Sequence, residues 1–417
     1  MMIYLKLSAK VIMNSYKNVY ILGIGGTGMS SIAKYMSQAG FNVGGYDQRK
    51  SYITNTLEQE SINIDFDLEE ITYDKDTLYI YSTAFNLTKT NLSSNTESKN
   101  VLSRPEFLQE LTRDNYVIGV TGTHGKTSTT ALLAHIFHYN KRNVSYIFGG
   151  VTSFNGIGGH YGSDNKVLIL EADEAFDTFN SLHIDDLLVT NIDEDHLDYY
   201  LNFENLINAF KNVIENTSNN VVLNLDNLEL KKLKLSKKIY SYSSSDESEI
   251  TIINSGVISH EGTNFQIETS MIGDHFKSNI AGAICIAYLN GISIEDSLLA
   301  IKHFSGVRRR AEFLGSTSGI SIYDDYGHHP TEIDATITAL KSHVKGKLYV
   351  VFQPHRYTRT QEHLDKFKMS LFKADEAIVV DIYPSGELPI PGVSSKNLED
   401  KNIKYIKSMR AVPSYLR

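Results

Sequence analysis

Short apolar runs alternate with stretches of helical periodicity along most of this chain. The predicted strands are residues 19–22, 41–47, 78–82, 117–120, 167–170, 187–190, 221–224, 250–253, 320–323, 348–352 and 377–380. Apolar residues at helical spacing predict helices at residues 29–39, 104–112, 128–139 and 277–289. Strands that alternate with helices are typical of parallel sheets covered on both faces. The pattern therefore predicts an α/β protein.

The first predicted strand leads into a glycine turn of the form G-x-G-x-x-G at residues 23–28. A predicted helix follows and ends at Gly40, and the next strand ends in Asp47. This order is typical of a dinucleotide site, in which the helix N-terminus faces a diphosphate and the acid binds a ribose. A tight turn without a ligand has the same pattern. A nicotinamide cofactor and another nucleotide both remain open on these residues.

A second glycine turn, at residues 122–127, lies between a predicted strand and a predicted helix. Such a turn directs backbone N–H groups and a helix dipole at a phosphate. Lys126 would contact the β- and γ-phosphates, and the Thr127 hydroxyl would bind Mg²⁺. Val120 stands where the general phosphate-loop pattern has glycine. The flanking strand and helix nevertheless favour a phosphate loop.

Acidic residues follow two later strands, at residues 171–174 and 191–198, and the second group includes His196. Ligands of open α/β sheets bind at the carboxyl ends of the strands. Acids at strand ends also cap helices, but their position beside a phosphate loop favours Mg²⁺. A histidine without cysteine partners argues against structural zinc.

The remaining segments divide the chain into predicted domains of residues 1–114, 115–304 and 305–417. Residues 83–100 are polar and are expected at the surface. Residues 221–270 are expected to extend the central sheet without taking part in chemistry. A basic run, residues 308–310, marks the last boundary, beyond which strands again end in histidines and arginines. The guanidinium of Arg359 has the fork geometry that binds a carboxylate.

Composition excludes several classes of protein. A length of 417 residues suggests two to three domains, and 41% hydrophobic with 21% charged residues describes a soluble globular protein. The net charge of −9 argues against nucleic-acid binding. The single cysteine, Cys285, excludes internal disulfides and fits a reducing cytoplasm. No apolar run approaches the roughly 20 residues of a membrane span, and residues 1–13 show no secretion signal.

Two diphosphate-binding turns, of which only one carries a Lys-Thr pair, indicate more than hydride transfer. With carboxylates for Mg²⁺ and arginines for a carboxylate, they favour ATP-driven activation of an acid. The γ-phosphoryl group would pass to a carboxylate, and an amine would then displace the phosphate.

These motifs resemble those of the Mur ligases, in the same order along the chain. The resemblance covers residues 19–395 and is carried by residues 23–30, 122–127, 171–174, 195–196, 309–310, 324–330, 352–360 and 383–387. It implies three domains: a Rossmann-like N-terminal domain, a central phosphate-loop ATPase domain and a short Rossmann-like C-terminal domain. It also implies a cytoplasmic bacterial ligase that uses ATP and Mg²⁺ to join L-alanine to the lactyl carboxylate of UDP-N-acetylmuramate, without nucleic-acid binding or membrane insertion.

The resemblance further implies roles for individual residues. The UDP substrate would contact Gly23, Gly25, Gly26, Thr27, Gly28, Met29, Ser30, Asp47 and Ser82. ATP would contact Gly122, Thr123, Gly125, Lys126, Thr127, Ser128, Asn279, Arg310 and Asp325. Metal ions would bind to Thr127, Glu171 and His196, and L-alanine to Tyr326, His328, Arg356 and Arg359. The catalytic residues would be Lys126, His196, Arg310 and His328.

The chain departs from the family pattern at several positions. Phe176 precedes the acid Asp177, Phe276 stands where a polar residue is usual, and Ala311 replaces a phenylalanine. The chain stops at Arg417, before the strand and glycine-rich turn that usually close the third domain, so two alternatives stay open: a naturally short third domain or a fragment. Lys211 lies where sister ligases carry a carbamylated lysine, which makes its carbamylation a hypothesis.

Three alternative functions remain open on the sequence. A ligase that reattaches a recycled peptide to the same nucleotide is the nearest, although its first glycine turn usually carries Cys and Phe. An NAD-dependent oxidoreductase would leave Lys126 and Thr127 without a role. A catalytically inactive binding module is the third.

Overall fold

The computed structural model describes residues 15–95, 98–163, 166–245, 247–254 and 256–416. Residues 1–13, for which no secretion signal is predicted, lie outside the described residues. In the part of the chain that is described, no helix has the length and apolar character needed to cross a bilayer. Contacts divide the chain into two units: Met1–Ser270 with Lys277–Val307, and Met271–Phe276 with Arg308–Arg417.

The first unit begins with a five-stranded parallel sheet of order β3-β2-β1-β4-β5. The strands are β1 Asn18–Leu22, β2 Asn42–Tyr46, β3 Asn63–Asp65, β4 Thr77–Tyr81 and β5 Val101–Ser103. The helices are α1 Thr27–Gln38, α2 Tyr52–Gln59 and α3 Arg104–Arg113. The strand order reverses beside β1, which is where doubly wound sheets bind nucleotides. The first glycine turn follows β1 and therefore lies at that position.

Local sequence explains where these elements end and how closely they pack. Gly40, in a left-handed conformation (φ 92°), ends α1 as predicted. Helix α3 begins with a capping box formed by Ser103 and Glu106. A Cβ on Gly45 would lie 2.4 Å from the Ile21 carbonyl oxygen, so only glycine allows β2 to approach β1 here.

A ten-stranded sheet forms the rest of the first unit, in the order β15-β14-β13-β12-β11-β10-β6-β9-β7-β8. Its strands are β6 Tyr116–Thr121, β7 Ser145–Thr152, β8 Gly156–His160, β9 Val167–Glu171, β10 Asp186–Val189, β11 Val221–Asn224, β12 Tyr240–Ser243, β13 Ile250–Asn254, β14 Val257–His260 and β15 Thr263–Gln266. Its helices are α4 Lys126–Tyr139, α5 Leu197–Tyr200, α6 Phe203–Asn216, α7 Leu228–Lys232, α8 Asp274–Leu289 and α9 Ile294–Lys302.

Strand β6 lies between β9 and β10 and runs parallel to both. The phosphate loop and the two acidic strand ends therefore meet at one edge of the sheet, as the sequence predicts. Strands β11 to β15 extend the same sheet, which confirms that residues 221–270 extend the central sheet.

Helix α1 joins the two sheets of the first unit by packing against β7 and β8. The Ser31 hydroxyl donates a hydrogen bond of 2.6 Å to the Phe148 carbonyl, and Lys34 donates to the Asn155 carbonyl. One hydrophobic cluster includes Ile32 of α1, Ile147 of β7 and Leu170 of β9. Residues 83–100, expected at the surface, are partly anchored, since Leu92 is fully buried.

The second unit contains an antiparallel hairpin and a parallel sheet of order β18-β19-β20. The strands are β16 Glu312–Thr317, β17 Ile320–Asp324, β18 Tyr349–Phe352, β19 Glu376–Val379 and β20 Ile403–Tyr405, and the helices are α10 Pro330–His343, α11 Tyr357–Glu362, α12 Leu364–Leu371 and α13 Val412–Tyr415. The predicted strand 320–323 does not join a parallel sheet. It pairs antiparallel with β16, because Ser318 and Gly319 take positive φ and form a two-residue turn.

Candidate active site

The second glycine turn connects β6 to α4 and leaves no room for side chains at two positions. A Cβ on Gly122 (φ 132°) would lie 2.1 Å from Thr190 Oγ1. A Cβ on Gly125 (φ 84°) would lie 2.9 Å from Asn279 Oδ1. Both positions also have positive φ, which favours glycine. The turn thus places its backbone directly beside Asn279, a predicted ATP contact.

Hydrogen bonds fasten this turn to the segment that follows β10. The His124 N–H donates to Asn191 Oδ1 (2.8 Å), and the Thr190 hydroxyl donates to the His124 carbonyl (2.6 Å). The Thr123 hydroxyl accepts from the Asp193 N–H (2.9 Å), and Asp193 Oδ2 lies 3.0 Å from His124 Nε2. A loop held at this many points is ordered before a phosphate binds, so binding costs less conformational entropy.

The ammonium group of Lys126 lies at the centre of the site. It donates to the Gly122 carbonyl (2.8 Å) and lies 2.6 Å from Glu174 Oε2 and 3.9 Å from Asp173 Oδ1. Burial alone would lower the pKa of Lys126, but the charges of Glu174, Asp173 and Glu171 raise it. Lys126 is therefore a fixed positive charge at the phosphate loop.

Glu174 is almost completely buried, with a relative exposure of 1%. Burial raises the pKa of its carboxyl group to about 8, although the charge of Lys126 opposes this shift. Among the described residues, neither carboxylate oxygen of Glu174 has a hydrogen-bond partner of ordinary geometry. The contact with Lys126 is therefore its main compensation for burial.

Thr127 and Glu171 form a pair of oxygen donors beside Lys126. The Thr127 hydroxyl donates to Glu171 Oε1 (2.6 Å), and the Gly149 N–H donates to Glu171 Oε2 (2.5 Å). A hydroxyl and a carboxylate are the hard ligands that Mg²⁺ prefers, and the Gly149 bond fixes the carboxylate. These residues fit the predicted metal site.

His196 lies on the other side of Glu174. Its Nε2 atom is 3.9 Å from Glu174 Oε1 and 4.0 Å from Asp195 Oδ2. The backbone of His196 is left-handed (φ 55°), an uncommon conformation for histidine that is frequent at functional sites. Imidazole and carboxylate groups at these distances can share a cation or a proton.

The first glycine turn is held by Asp47. The Gly25 N–H donates to Asp47 Oδ2 (2.8 Å), and a Cβ on Gly25 would lie 2.8 Å from the same oxygen. On the other side, a Cβ on Gly23 would lie 3.3 Å from the Cβ of Ser82. Helix α1 then begins without a capping side chain and without an acidic residue in its first turn. Its N-terminus is thus suited to an anion.

Both glycine turns converge on Gly149 and Gly150 of β7. A Cβ on Gly149 would lie 3.4 Å from Glu171 Oε2 and 3.5 Å from Thr27 Oγ1 of the first turn. A Cβ on Gly150 would lie 3.0 Å from Thr127 Cγ2 of the second turn. One strand thus separates the two turns by only the width of a glycine backbone, so their ligands would be neighbours.

In the second unit, cationic side chains gather around His355. Burial, the neighbouring His328 and the guanidinium groups of Arg359 and Arg356 lower the pKa of His355 to about 4. The imidazole rings of His328 and His355 lie 6.1 Å apart, and the ring of Tyr326 lies 5.3 Å from that of His328. Surroundings that disfavour a positive charge on His355 are suited to a negatively charged carboxylate ligand.

Arg356 is paired with Glu387 inside this cluster. Its Nε atom donates to Glu387 Oε1 (2.6 Å), and the N–H groups of Tyr357 and Thr358 donate to Glu387 Oε2 (2.6 and 3.1 Å). Although burial opposes it, the hydroxyl and N–H of Thr358 and the guanidinium of Arg356 lower the pKa of Glu387 to about 2. Glu387 therefore stays ionised and holds the start of α11, the helix that carries Arg359.

Asp325 and the arginines of residues 308–310 stabilise the turn before α10. Asp325 accepts from the N–H groups of Ala311 (2.8 Å) and Gly327 (2.7 Å). Arg310 lies 3.6 Å from Glu332 Oε1, and its guanidinium lies 5.5 Å from the centre of the Tyr326 ring. The contacts with ATP that are predicted for Arg310 and Asp325 would be additional to these structural contacts.

Comparison with known proteins agrees with this arrangement. Family models match residues 18–116 (Mur ligase family, catalytic domain), 120–287 (Mur ligase middle domain) and 309–416 (Mur ligase, glutamate ligase domain). UDP-N-acetylmuramate–L-alanine ligase of Brucella anthropi is 34% identical over 400 residues, which cover 91% of this chain and 85% of that protein. The enzyme of the same name from Geotalea daltonii is 36% identical over 399 residues, or 92% and 86% of the two chains. The chain belongs to the Mur ligase family.

Solved structures show the Mur ligase fold. A crystal structure of UDP-N-acetylmuramate–alanine ligase from Thermotoga maritima has a TM-score of 0.79 at 23% identity and covers 95% of this chain and 92% of its own. A murein peptide ligase from Psychrobacter arcticus has a TM-score of 0.69 at 22% identity, with coverage of 96% and 92%. The three-domain α/β architecture predicted from the sequence is therefore confirmed.

The residues predicted from the Mur ligase resemblance fall into two groups. Those of both glycine turns, together with Glu171, His196 and Asn279, lie in the first unit, whereas Arg310, Asp325 and the predicted alanine contacts lie in the second. No contact among the described residues joins His196 directly to Glu171. The predicted assignment of a role to each residue stays a prediction.

Three predicted residues have side chains engaged elsewhere. Met29 lies in the hydrophobic core, the Ser30 hydroxyl donates to the Thr27 carbonyl (3.0 Å), and Ser128 is buried in α4. Lys211 interacts with the exposed carboxylate of Glu215, and its carbamylation stays a hypothesis.

Sequence reasoning missed several residues of this Mur ligase site. Gly149 and Gly150 carried a signal, since paired glycines within a strand mark a close approach of backbone or ligand. Glu174 and His355 were quoted as parts of motifs without a role, because their burial depends on the fold. Arg104 gave no local signal at all.

Proposed function

We propose that the protein is an ATP-dependent ligase that joins L-alanine to the lactyl carboxylate of UDP-N-acetylmuramate. The observation that carries this proposal is the convergence of the two glycine turns on Gly149 and Gly150. One turn has the lysine and threonine of a γ-phosphate site, and the other has the open helix N-terminus of a diphosphate site. The relatives named UDP-N-acetylmuramate–L-alanine ligase support this choice of substrates.

In the first step, an oxygen of the lactyl carboxylate attacks the γ-phosphorus of ATP. The bond from that phosphorus to the bridging oxygen breaks, and ADP leaves with both electrons of this bond. Lys126 faces the phosphates and offsets the charge that builds up on them. Thr127 and Glu171 would hold the Mg²⁺ ion, which supplies further stabilisation of phosphate charge when bound.

In the second step, the uncharged amine of L-alanine attacks the carbonyl carbon of the acyl phosphate. The bond from carbon to the phosphate oxygen breaks, inorganic phosphate leaves, and the nitrogen loses one proton as the amide forms. The cationic groups around His355 would bind the alanine carboxylate, with Arg359 as its bidentate partner. The cationic groups that hold the alanine carboxylate would thereby also orient the amine of L-alanine.

We propose domain boundaries near residues 114 and 304, with the nucleotide sugar on the first domain, ATP on the second and the amino acid on the third. The division agrees with the matched segments at 18–116, 120–287 and 309–416.

ADP release, measured with each substrate omitted in turn, tests this function. We expect release to require both UDP-N-acetylmuramate and L-alanine, and to be slower with glycine, since one methyl group is worth roughly 1–3 kcal/mol in a pocket. Release that proceeds without either substrate would contradict the proposal. Release with a tripeptide in place of L-alanine would indicate the peptide-recycling ligase instead.

A further inference from the structure

Arg104 has a fixed position at the start of α3. It is the first helical residue, preceded by the N-cap Ser103 and followed by Pro105. Ser103 and Glu106 form a capping box, in which the Ser103 N–H donates to Glu106 Oε2 (2.7 Å). A proline in the first turn and a reciprocal cap both restrict the backbone. The direction of the Arg104 side chain is thus set by a rigid helix start.

The guanidinium of Arg104 lies over the last glycine of the first turn. A Cβ on Gly28 would lie 3.1 Å from Arg104 Nε and 3.3 Å from both Cζ and one terminal nitrogen. Any larger residue at position 28 would push the arginine away. The glycine thus makes room for a cation beside the N-terminus of α1.

This cation has no partner that accounts for it. Among the residues that the structure describes, the buried Nε atom of Arg104 has no hydrogen-bond partner, and no carboxylate lies within ion-pair distance of the guanidinium. Burying polar N–H groups without partners is costly, so such groups in a native protein usually await a ligand or water.

The surroundings of Arg104 contain a second feature suited to an anion. The N-terminus of α1 has neither a capping side chain nor an acidic residue in its first turn. Arg104 therefore lies beside a helix start that is suited to an anion.

We propose that Arg104 binds the diphosphate of the UDP-linked substrate. The guanidinium fork matches two phosphate oxygens, while the N–H groups of the α1 N-terminus bind from the other side. The inference rests on the proposed function, because it takes the ligand of the first turn to be a uridine nucleotide. Neither the family match nor the sequence pattern assigns Arg104 a role.

Calorimetric binding of UDP, UDP-N-acetylglucosamine and UDP-N-acetylmuramate to the full chain tests the proposal. Arg104→Gln should weaken all three ligands by a similar factor, about 10- to 100-fold, because they share the diphosphate. Arg104→Lys keeps the charge but loses the fork and should fall between Arg104→Gln and the parent. ADP affinity should not change in either variant. The matched control is Arg113→Gln on the same helix, where Arg113 pairs with Glu110 and should not affect nucleotide binding.

Other outcomes would overturn the assignment. Loss of affinity for UDP-N-acetylmuramate alone would place the guanidinium on the lactyl carboxylate, and weaker ADP binding would place it on the ATP side. Unchanged affinities in an Arg104→Gln variant with a parental melting curve would remove the residue from the site. If the parent protein binds none of the three uridine nucleotides, the proposed function itself fails, which is a separate result.

Discussion

The carboxylate of Glu174 lies 2.6 Å from the ammonium of Lys126, at the position where a phosphate loop is expected to hold phosphate. A buried acid thus keeps the lysine in place. A phosphate oxygen that binds Lys126 must replace this contact. Glu174 is therefore both a support for Lys126 and a competitor of the nucleotide.

Glu174→Gln should tighten ADP binding at high pH and leave it unchanged at low pH. Because burial raises the pKa of this carboxyl group to about 8, it is mostly neutral below that pH and resembles glutamine. Above it, the ionised carboxylate of the parent competes with phosphate, and the variant should bind about tenfold more tightly. Calorimetry at about pH 6.5 and about pH 9 measures the difference. Equal affinity of the two proteins at the higher pH would contradict the competition.

Lys126→Ala should abolish turnover without unfolding the protein. In the proposed reaction the lysine contacts phosphates whose charge grows in the transition state, and the loss of such a contact typically costs roughly 10²–10³-fold in rate. Burial of Glu174 without its cation should also lower the melting temperature, so Lys126→Arg is needed as the charge-preserving control. ADP release and circular dichroism provide the two measurements. A variant with parental activity would place the ATP site elsewhere.

The sequence predicted the parts of the site that are local. The two glycine turns, each between a strand and a helix, can be recognised from residues 23–28 and 122–127 and their flanking segments alone. The acids at the strand ends meet because parallel strands end at one edge of the sheet. The acids of β9 and β10 therefore lie beside Lys126 as expected.

What the sequence did not predict depends on long-range packing. The hairpin of β7 and β8 is rich in glycine, so its strands lack the apolar runs that predict strands. Its role as the strand shared by both turns follows only from its pairing with β9. In the same way, Ile320–Asp324 looks like a strand of a parallel sheet, and only the turn at residues 318–319 makes it antiparallel.

Thr127→Val should raise the Mg²⁺ concentration needed for half-maximal activity, by about 10- to 100-fold. The valine keeps the shape of threonine but removes the hydroxyl that lies 2.6 Å from Glu171 Oε1. Thr127→Ser keeps the hydroxyl and should behave like the parent. Mg²⁺ titrations of ADP release compare the three proteins. An equal requirement in all three would remove Thr127 from the metal site.

The pKa of His355 should be about 4 in the free protein and should rise when L-alanine binds. Burial and three neighbouring cationic groups lower its pKa from 6.5 to about 4. The folded state thus binds this proton less tightly than the unfolded state, so His355 contributes stability above about pH 6.5 that is lost as the pH falls towards 4. The melting temperature of His355→Gln should therefore depend less on pH across this window, and the exposed His343→Gln is the matched control.

Nuclear magnetic resonance of histidine rings measures the same group directly. A carboxylate bound among these cations would favour the protonated imidazole, so saturating L-alanine should raise the pKa of His355. A value near 6.5 in the free protein would show that the cluster does not form in solution. A value that L-alanine leaves unchanged would remove His355 from the amino-acid site.

Alanine substitutions at Gly149 and Gly150 should separate activity from stability, although the two residues are adjacent. A methyl group on Gly149 would lie 3.4 Å from Glu171 Oε2 and 3.5 Å from Thr27 Oγ1, which are ordinary contacts. The fold should tolerate it, but the methyl group lies between the metal ligand and the diphosphate turn. We expect Gly149→Ala to lower turnover by roughly 10- to 100-fold, because a small displacement of the reacting groups is sufficient for such a loss.

A methyl group on Gly150 would instead lie 2.7 Å from Val307 Cγ1 and 3.0 Å from Thr127 Cγ2, so its neighbours must move. Gly150→Ala should therefore destabilise the protein by about 1–3 kcal/mol, measured by chemical denaturation. If Gly149→Ala keeps full turnover, the two turns do not act on neighbouring ligands, because the methyl group would lie against both Thr27 and Glu171. That result would contradict the convergence on which the proposed reaction depends, whereas loss of stability at Gly150 alone would not.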